Sequence, residues 1–183
     1  QWLRDELRII DAAPDSEAIA KATGVIEDVY VVPAFAGLGA PYWDAHARGA
    51  ILGLTRGSSR DDIVTATLQS VALQTSDLLD AMADDGVRPS VIRVDGGMVA
   101  NDWFLQFLAD VLAATVERPL NVESTVLGAA YLAGLAVDVW DDVNVLAERW
   151  ELDREFLPDT DEAARQQRRA EWLRAVERAK GWV

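Results

Sequence analysis

The chain has 183 residues, half of them hydrophobic, so it is long enough to bury the core of a single domain. Its 31 acidic residues outnumber 17 basic ones, and the formal net charge of −14 disfavours binding to nucleic acid or an anionic membrane surface, because both depend on clustered Lys and Arg. The absence of cysteine excludes disulfides, zinc–thiolate sites and cysteine nucleophiles, and together with the lack of a long apolar run it leads us to expect a cytoplasmic protein.

Two helices are predicted at the start of the chain. Apolar residues recur at helical spacing in the first ten positions: Trp2, Leu3, Leu7 and Ile10. Because nothing upstream caps this pattern, we expect the chain to continue a longer protein that was cut within a helix. A second helix is predicted between Pro14, which suits a first helical turn, and Gly24, which suits a helix end.

Strands and a long loop follow. Residues 29–35, "VYVVPAF", form a continuous apolar run typical of a strand buried on both faces. Residues 36–57 are rich in glycine and contain Tyr42 and Trp43, which predicts an ordered loop packed by aromatic side chains and ending in a second strand, "GAILGLT".

A long helix is predicted after Ser59, which suits an N-cap, and is expected to end before Gly86. Its predicted buried stripe comprises Val64, Leu68, Val71, Thr75, Leu78 and Met82.

Strands and helices continue to alternate in the second half. The strand "VIRVDGG" leads to a helix from Asn101, the strand "TVERPL" leads to a Gly- and Ala-rich helix capped by Ser124, and residues 141–183 predict a helical tail. This order favours an α/β fold in which helices flank a mixed sheet, with a C-terminal helical extension.

The segment "VDGGMVAN" is the strongest candidate for a ligand site. Gly96 and Gly97 lack Cβ atoms, so a ligand can approach the backbone closely, and Asn101 can cap the next helix or donate to a ligand. The positive end of that helix would favour a phosphate. The residues alone leave two interpretations open, a nucleotide site and a purely structural turn.

No catalytic residue and no metal ligands are predicted within the chain. The only histidine, His46, lies in a loop without a nucleophile nearby, and the acidic pairs lack the spacing of a metal-binding loop. Asp95, at a strand end beside the glycines, is the one carboxylate that merits attention, although holding the turn is its more conservative role.

Three segments in order, "GLGAPYWDAHARGAILGLTRG", "RVDGGMVAND" and "NVESTVLGAAYLAGLAV", closely resemble the C-terminal domain of the FGGY family of carbohydrate kinases. The form "GAPYWD" is similar to the glycerol-phosphorylating branch of that family. The resemblance implies an actin-like, ribonuclease H-like ATPase domain, and we expect residues 1–183 to form one such ATP-binding domain, truncated at its N-terminal edge.

The resemblance also implies partners and site residues. Gly97, Asn101 and Gln1 match positions that contact the nucleotide, and Gly96 and Asp95 are second-rank candidates in the same turn. ATP or ADP, Mg²⁺ and glycerol are the implied ligands, and homo-oligomers occur in the family. The catalytic Asp, the Mg²⁺ ligands and most glycerol contacts lie before Gln1 in the family, so we expect this chain alone to be inactive. A kinase for another sugar or polyol and a non-catalytic actin-like nucleotide-binding module remain alternatives.

Overall fold

The computed structural model describes all residues from Gln1 to Val183. The seven α-helices are α1 Trp2–Asp5, α2 Asp15–Thr23, α3 Arg60–Asp84, α4 Asp102–Leu112, α5 Ser124–Ala136, α6 Val143–Ala147 and α7 Glu162–Ala179. The five strands are β1 Tyr30–Val32, β2 Ala50–Leu52, β3 Val91–Arg93, β4 Thr115–Pro119 and β5 Leu152–Phe156, and a 3₁₀ turn spans Gly97–Ala100. None of the helices is both long enough and apolar enough to cross a membrane.

The strands form two sheets. β1 and β2 make an antiparallel hairpin, while the second sheet has the order β3-β4-β5 and combines a parallel pair with an antiparallel one. Gly53 directly follows β2 and lies against the backbone that precedes β1; its φ is +84° and a Cβ there would lie 1.8 Å from the Asp28 carbonyl oxygen, so only glycine fits. The mixed α/β architecture is therefore confirmed.

One core joins the two halves of the chain. The side chains of α4 pack against α3 on one side and β4 on the other, and Trp172 of α7 is fully buried in the same cluster. The Trp172 indole N–H donates to the carboxylate of Asp77 on α3, at 3.0 and 3.1 Å from its two oxygens. The C-terminal residues are therefore part of the domain core.

Two helix predictions hold closely. Ser59 caps α3 in a capping box, because its hydroxyl accepts from the Asp62 N–H and the Asp62 carboxylate accepts from the Ser59 N–H. Helix α2 ends at Gly24, which has a φ of +80°.

Four local predictions were wrong. The opening helix stops at Asp5 and does not continue to Ile10, because Arg8 adopts a left-handed conformation and the Ile9 N–H donates back to the Leu3 carbonyl. The strand predicted over 29–35 ends at Val32, because Pro33 has no N–H for a sheet hydrogen bond.

The C-terminal tail is not wholly helical, because β5 lies within it and pairs with β4 through Phe156, whose side chain is buried. The predicted cap at Ser124 is also wrong: Ser124 is the first helical residue of α5, and its N-cap Glu123 makes no side-chain capping hydrogen bond.

Two predicted packing patterns also differ. The end of the α3 stripe is exposed at Leu78 and Met82, and the helix buries Leu73 and Asp77 instead because α7 lies against that face. In the glycine-rich loop, Trp43 is 79% exposed, so this aromatic side chain does not pack the loop.

Candidate nucleotide site

The glycine turn lies at the carboxyl end of β3 and leads through the 3₁₀ turn into α4. Gly96 has a φ of +86°, which an L-residue with a side chain rarely adopts, and its N–H donates to the Val122 carbonyl at 2.9 Å. Its glycine identity is therefore explained by the backbone.

Gly97 has no such explanation within the chain. Its φ lies outside the left-handed region, and a Cβ built there would meet no atom within 4 Å. A methyl group could be accommodated without strain in this structure. The absence of a side chain therefore leaves open space at the surface of the turn, which suits close approach of a ligand.

Asn101 ends the 3₁₀ turn and begins α4. Its side-chain Oδ1 accepts from the Phe104 N–H at 2.8 Å, so the oxygen is used as the N-cap of α4. The Nδ2 group forms no hydrogen bond in the structure and can donate to a ligand.

The favourable phosphate position at the start of α4 stays a prediction, and two carboxylates beside that helix end weigh against it. The Glu17 carboxylate accepts from the Asp102 N–H at 3.0 Å, and Asp102 adds a second carboxylate in the first turn. These negative groups and the Asn101 cap already occupy the positive end of the helix, so a phosphate would meet like charge there.

A cleft of about 310 Å³ opens beside the turn, between the start of α2 and the 3₁₀ turn. It is lined by Ala13, Pro14, Ser16, Glu17, Leu68, Gly97, Met98, Ala100 and Asn101. No Lys or Arg is among them, and the one charged residue, Glu17, is already paired with Lys21 at 2.7 Å. The cleft therefore suits a flat, uncharged group better than a phosphate chain.

The five predicted site residues are only partly brought together. Gly97 and Asn101 both line the cleft, and Gly96 shapes the turn beside it. Gln1 and Asp95 do not line it; Gln1 is exposed at the N-cap of α1, and the exposed Asp95 side chain precedes the turn. Sequence reasoning missed Pro14, Glu17 and Leu68, because they reach the cleft only through the packing of α2 and α3 against α4.

The single histidine of the chain lies in an exposed loop. His46 is exposed and contacts the rest of the chain through its backbone, with its carbonyl oxygen accepting from the N–H groups of Trp182 and Val183. No cluster of three His, Cys, Asp or Glu side chains is placed to hold a metal ion.

Comparison with known proteins shows which family this chain belongs to. The model of the FGGY family of carbohydrate kinases, C-terminal domain, matches residues 1–137. The chain belongs to the FGGY family. Its whole length also aligns with curated relatives named glycerol kinase, at 57% identity in Vibrio cholerae and 52% in Fusobacterium nucleatum. It spans 36% and 37% of the lengths of these two FGGY relatives.

Solved structures agree with the fold. The Plasmodium falciparum glycerol kinase with ADP superimposes with a TM-score of 0.85 at 36% identity, covering 97% of this chain and 36% of that one. The Lactobacillus acidophilus xylulose kinase gives a TM-score of 0.81 over 97% of this chain and 36% of that one; at 23% identity it supports the fold alone. The actin-like fold expected for an FGGY domain is thus confirmed.

Proposed function

We propose that this chain is the nucleotide-binding C-terminal domain of a glycerol kinase, which in the complete enzyme transfers the γ-phosphoryl group of ATP to glycerol. The observation that carries the proposal is the match along the entire chain to curated glycerol kinases, at 57% identity in the Vibrio cholerae relative. We also propose that residues 1–183 form one domain, because Trp172 near the C-terminus is buried in the common core. A cytoplasmic location is part of the same proposal.

Within this domain we assign the cleft beside the glycine turn to the adenosine part of ATP. Three observations support the assignment: the open surface at Gly97, the free Nδ2 donor of Asn101, and a lining without cationic side chains. The phosphates then extend away from α4, whose N-terminus is already occupied by the Glu17 carboxylate. Gln1 and Asp95 stay predictions as further nucleotide contacts.

The chemical step needs groups from outside this chain. Phosphoryl transfer depends on charge stabilisation by Mg²⁺ and on an oriented hydroxyl nucleophile. The residues here form no metal-binding cluster, so we assign Mg²⁺ coordination, glycerol binding and proton removal to the other part of the longer polypeptide. This domain contributes one wall of the nucleotide cleft and is expected to be inactive by itself.

The exposed surface of α5 supports such a division. The helix buries none of its 13 residues, although Val126 and Leu132 are among its side chains and are 68% and 70% exposed. Apolar surface of this kind is typical of a contact with another protein part. Because the glycerol kinase relatives are almost three times as long as the aligned region, we assign this face to the remaining segment of that longer chain.

A glycine substitution tests the adenosine site. In Gly97→Ala the added methyl meets no protein atom, so we expect the melting temperature to stay the same or rise slightly. The methyl would occupy the open surface that we assign to adenosine, so ATP and ADP binding should weaken by about tenfold or more. Gly128→Ala on α5, where the methyl also meets nothing, is the matched control. Equal nucleotide affinity in wild type and Gly97→Ala would remove this turn from the site.

An asparagine substitution separates the cap from the donor. Asn101→Asp keeps an oxygen for the Phe104 N–H but removes the Nδ2 donor, so it should retain the fold and lose nucleotide affinity. Asn101→Ala removes both functions and should also destabilise α4. Nucleotide binding unchanged in Asn101→Asp would show that the residue is only a helix cap.

A chimera tests the enzyme assignment. We would replace the aligned C-terminal part of the Vibrio cholerae glycerol kinase with this chain and measure glycerol 3-phosphate formation from glycerol and ATP. We expect activity in the chimera and none in either part alone. A folded chimera that binds ATP but makes no product would count against the glycerol kinase assignment, and Leu132→Asp should impair the chimera without unfolding the isolated domain.

A further inference from the structure

The 3₁₀ turn that carries Gly97 has few contacts of its own with the core. Of its four residues only Val99 is buried, and Met98 is 37% exposed. Two backbone hydrogen bonds of 3.2 Å stabilise the turn from within. The Val99 N–H donates to the Gly96 carbonyl, and the Asn101 N–H donates to the Met98 carbonyl. A turn of this length needs an external contact to keep one conformation.

That contact comes from Arg118, which lies on β4 and is only 14% exposed. Its Nη1 group donates to the Val99 carbonyl oxygen at 2.9 Å and to the Asp102 carboxylate at 2.8 Å. One guanidinium group therefore bridges the middle of the turn and the first residue of α4.

The guanidinium is itself held from the other side. Its Nε group donates to the Asp153 carboxylate on β5 at 2.7 Å, and Arg154 makes a second ion pair with Asp102. Burial disfavours the charge of Arg118, but the hydrogen bonds and charges of Asp102 and Asp153 more than offset this and raise its pKa above the ordinary value. The side chain is thus fixed by fork geometry that a lysine cannot reproduce.

We propose that Arg118 is a positioning residue for nucleotide binding, which fixes the 3₁₀ turn so that Gly97 and the Nδ2 group of Asn101 face the cleft in one arrangement. The inference rests on the proposed function, since it assigns the purpose of a turn that the adenosine site requires. Arg118 does not line the cleft, so it acts through Val99 and Asp102 and not by touching the nucleotide.

The test compares Arg118→Lys and Arg118→Ala with wild type in the 183-residue chain. ATP and ADP titration should show a loss of about tenfold in Arg118→Ala, the size expected for one charge-assisted hydrogen bond, and a smaller loss in Arg118→Lys. Arg178→Ala, which removes an exposed arginine on α7, controls for the change in net charge and should bind as wild type.

Amide hydrogen exchange provides the second readout. We expect the amides of Val99 and Asn101 to exchange faster in both Arg118 variants, while amides in the middle of α4 stay protected. If Arg118→Ala fails to fold, Arg118→Met replaces it, because methionine keeps an apolar stem but cannot donate to the Val99 carbonyl or the Asp102 carboxylate.

The outcomes distinguish the two proposals. Faster exchange in the turn together with weaker nucleotide binding supports the role of Arg118. Folded variants that keep both the protection of the turn and the wild-type affinity would overturn it. If wild type itself binds neither ATP nor ADP, the proposed function fails, and exchange at Val99 and Asn101 still decides whether Arg118 holds the turn.

Discussion

Helices α4 and α5 are both strongly apolar, yet α4 is largely buried in the folded chain and α5 is not. Helix α4 has 11 residues and buries six of them, whereas α5 has 13 residues and buries none. In α4 the apolar side chains share one face, which packs on α3 and β4. In α5 they surround the helix, so no single contact within the chain could cover them.

The difference shows that apolar content alone does not determine burial. Helix α5 does make one close contact, because Trp140 packs over Gly134, where a Cβ would lie 2.4 Å from the indole nitrogen. A shallow cleft of about 480 Å³ between α5 and α6 remains open beside it. The contrast predicts that the two regions will respond very differently to the same kind of substitution.

The largest effect is expected at Trp172, in the packed region. Trp172→Ala removes a fully buried indole and its hydrogen bond to Asp77, which should lower the free energy of unfolding by about 3–5 kcal/mol. Urea denaturation followed by circular dichroism would measure the change. Trp182→Ala is the control, since Trp182 is 70% exposed, and similar losses in both variants would contradict the assignment of Trp172 to the core.

A leucine pair compares the two helices directly. Leu105 on α4 is fully buried, so Leu105→Ala should cost about 2–5 kcal/mol in the free energy of unfolding. Leu132 on α5 is 70% exposed, so Leu132→Ala should change it by less than about 0.5 kcal/mol. A large loss in Leu132→Ala would show that α5 is packed in the isolated chain, and the comparison would fail.

A serine pair examines how the helices begin. Ser59→Ala removes the hydroxyl that accepts from the Asp62 N–H, and should destabilise the chain by about 1 kcal/mol. Ser124→Ala at the start of α5 removes no cap and should be nearly neutral in thermal denaturation. Equal effects would mean that Ser124 caps α5 after all.

The smallest effect at neutral pH is expected at Tyr30, whose hydroxyl is buried on β1 without a hydrogen-bond partner. Burial raises the pKa of Tyr30 from 10.0 to about 12, so the folded state holds the proton more tightly than the unfolded state. This contribution to stability is complete below pH 10 and is lost as the pH rises towards 12.

Tyr30→Phe should therefore be almost neutral at pH 7 and should lose less stability than wild type between pH 10 and 12. Urea denaturation at each pH gives the difference between the two proteins. Burial also raises the pKa of Tyr42, so wild type and Tyr30→Phe will both still lose some stability at alkaline pH. If the free energy of unfolding falls equally with pH in wild type and Tyr30→Phe over this range, the raised pKa of the Tyr30 hydroxyl would be contradicted.

Local signals in the sequence were sufficient for the features that depend on neighbouring residues. The start of α3 at Ser59, the end of α2 at Gly24 and the start of α4 at Asn101 were all predictable, because caps and glycine turns act within a few positions. The glycine turn was also identifiable as a candidate site, since two adjacent glycines between a strand and a helix are visible directly.

Tertiary packing decided the rest. Nothing in the local sequence places the Glu17 carboxylate on the Asp102 N–H at the start of α4, or brings Arg118 to the Val99 carbonyl. Likewise β5 was hidden in a charged tail, because its only deeply buried residue is Phe156. The sequence by itself determined the α/β order and the turn that carries Gly97 and Asn101, because periodicity and caps are short-range. Only the folded chain decided which polar groups meet across elements, because those contacts join residues as far apart as Glu17 and Asp102.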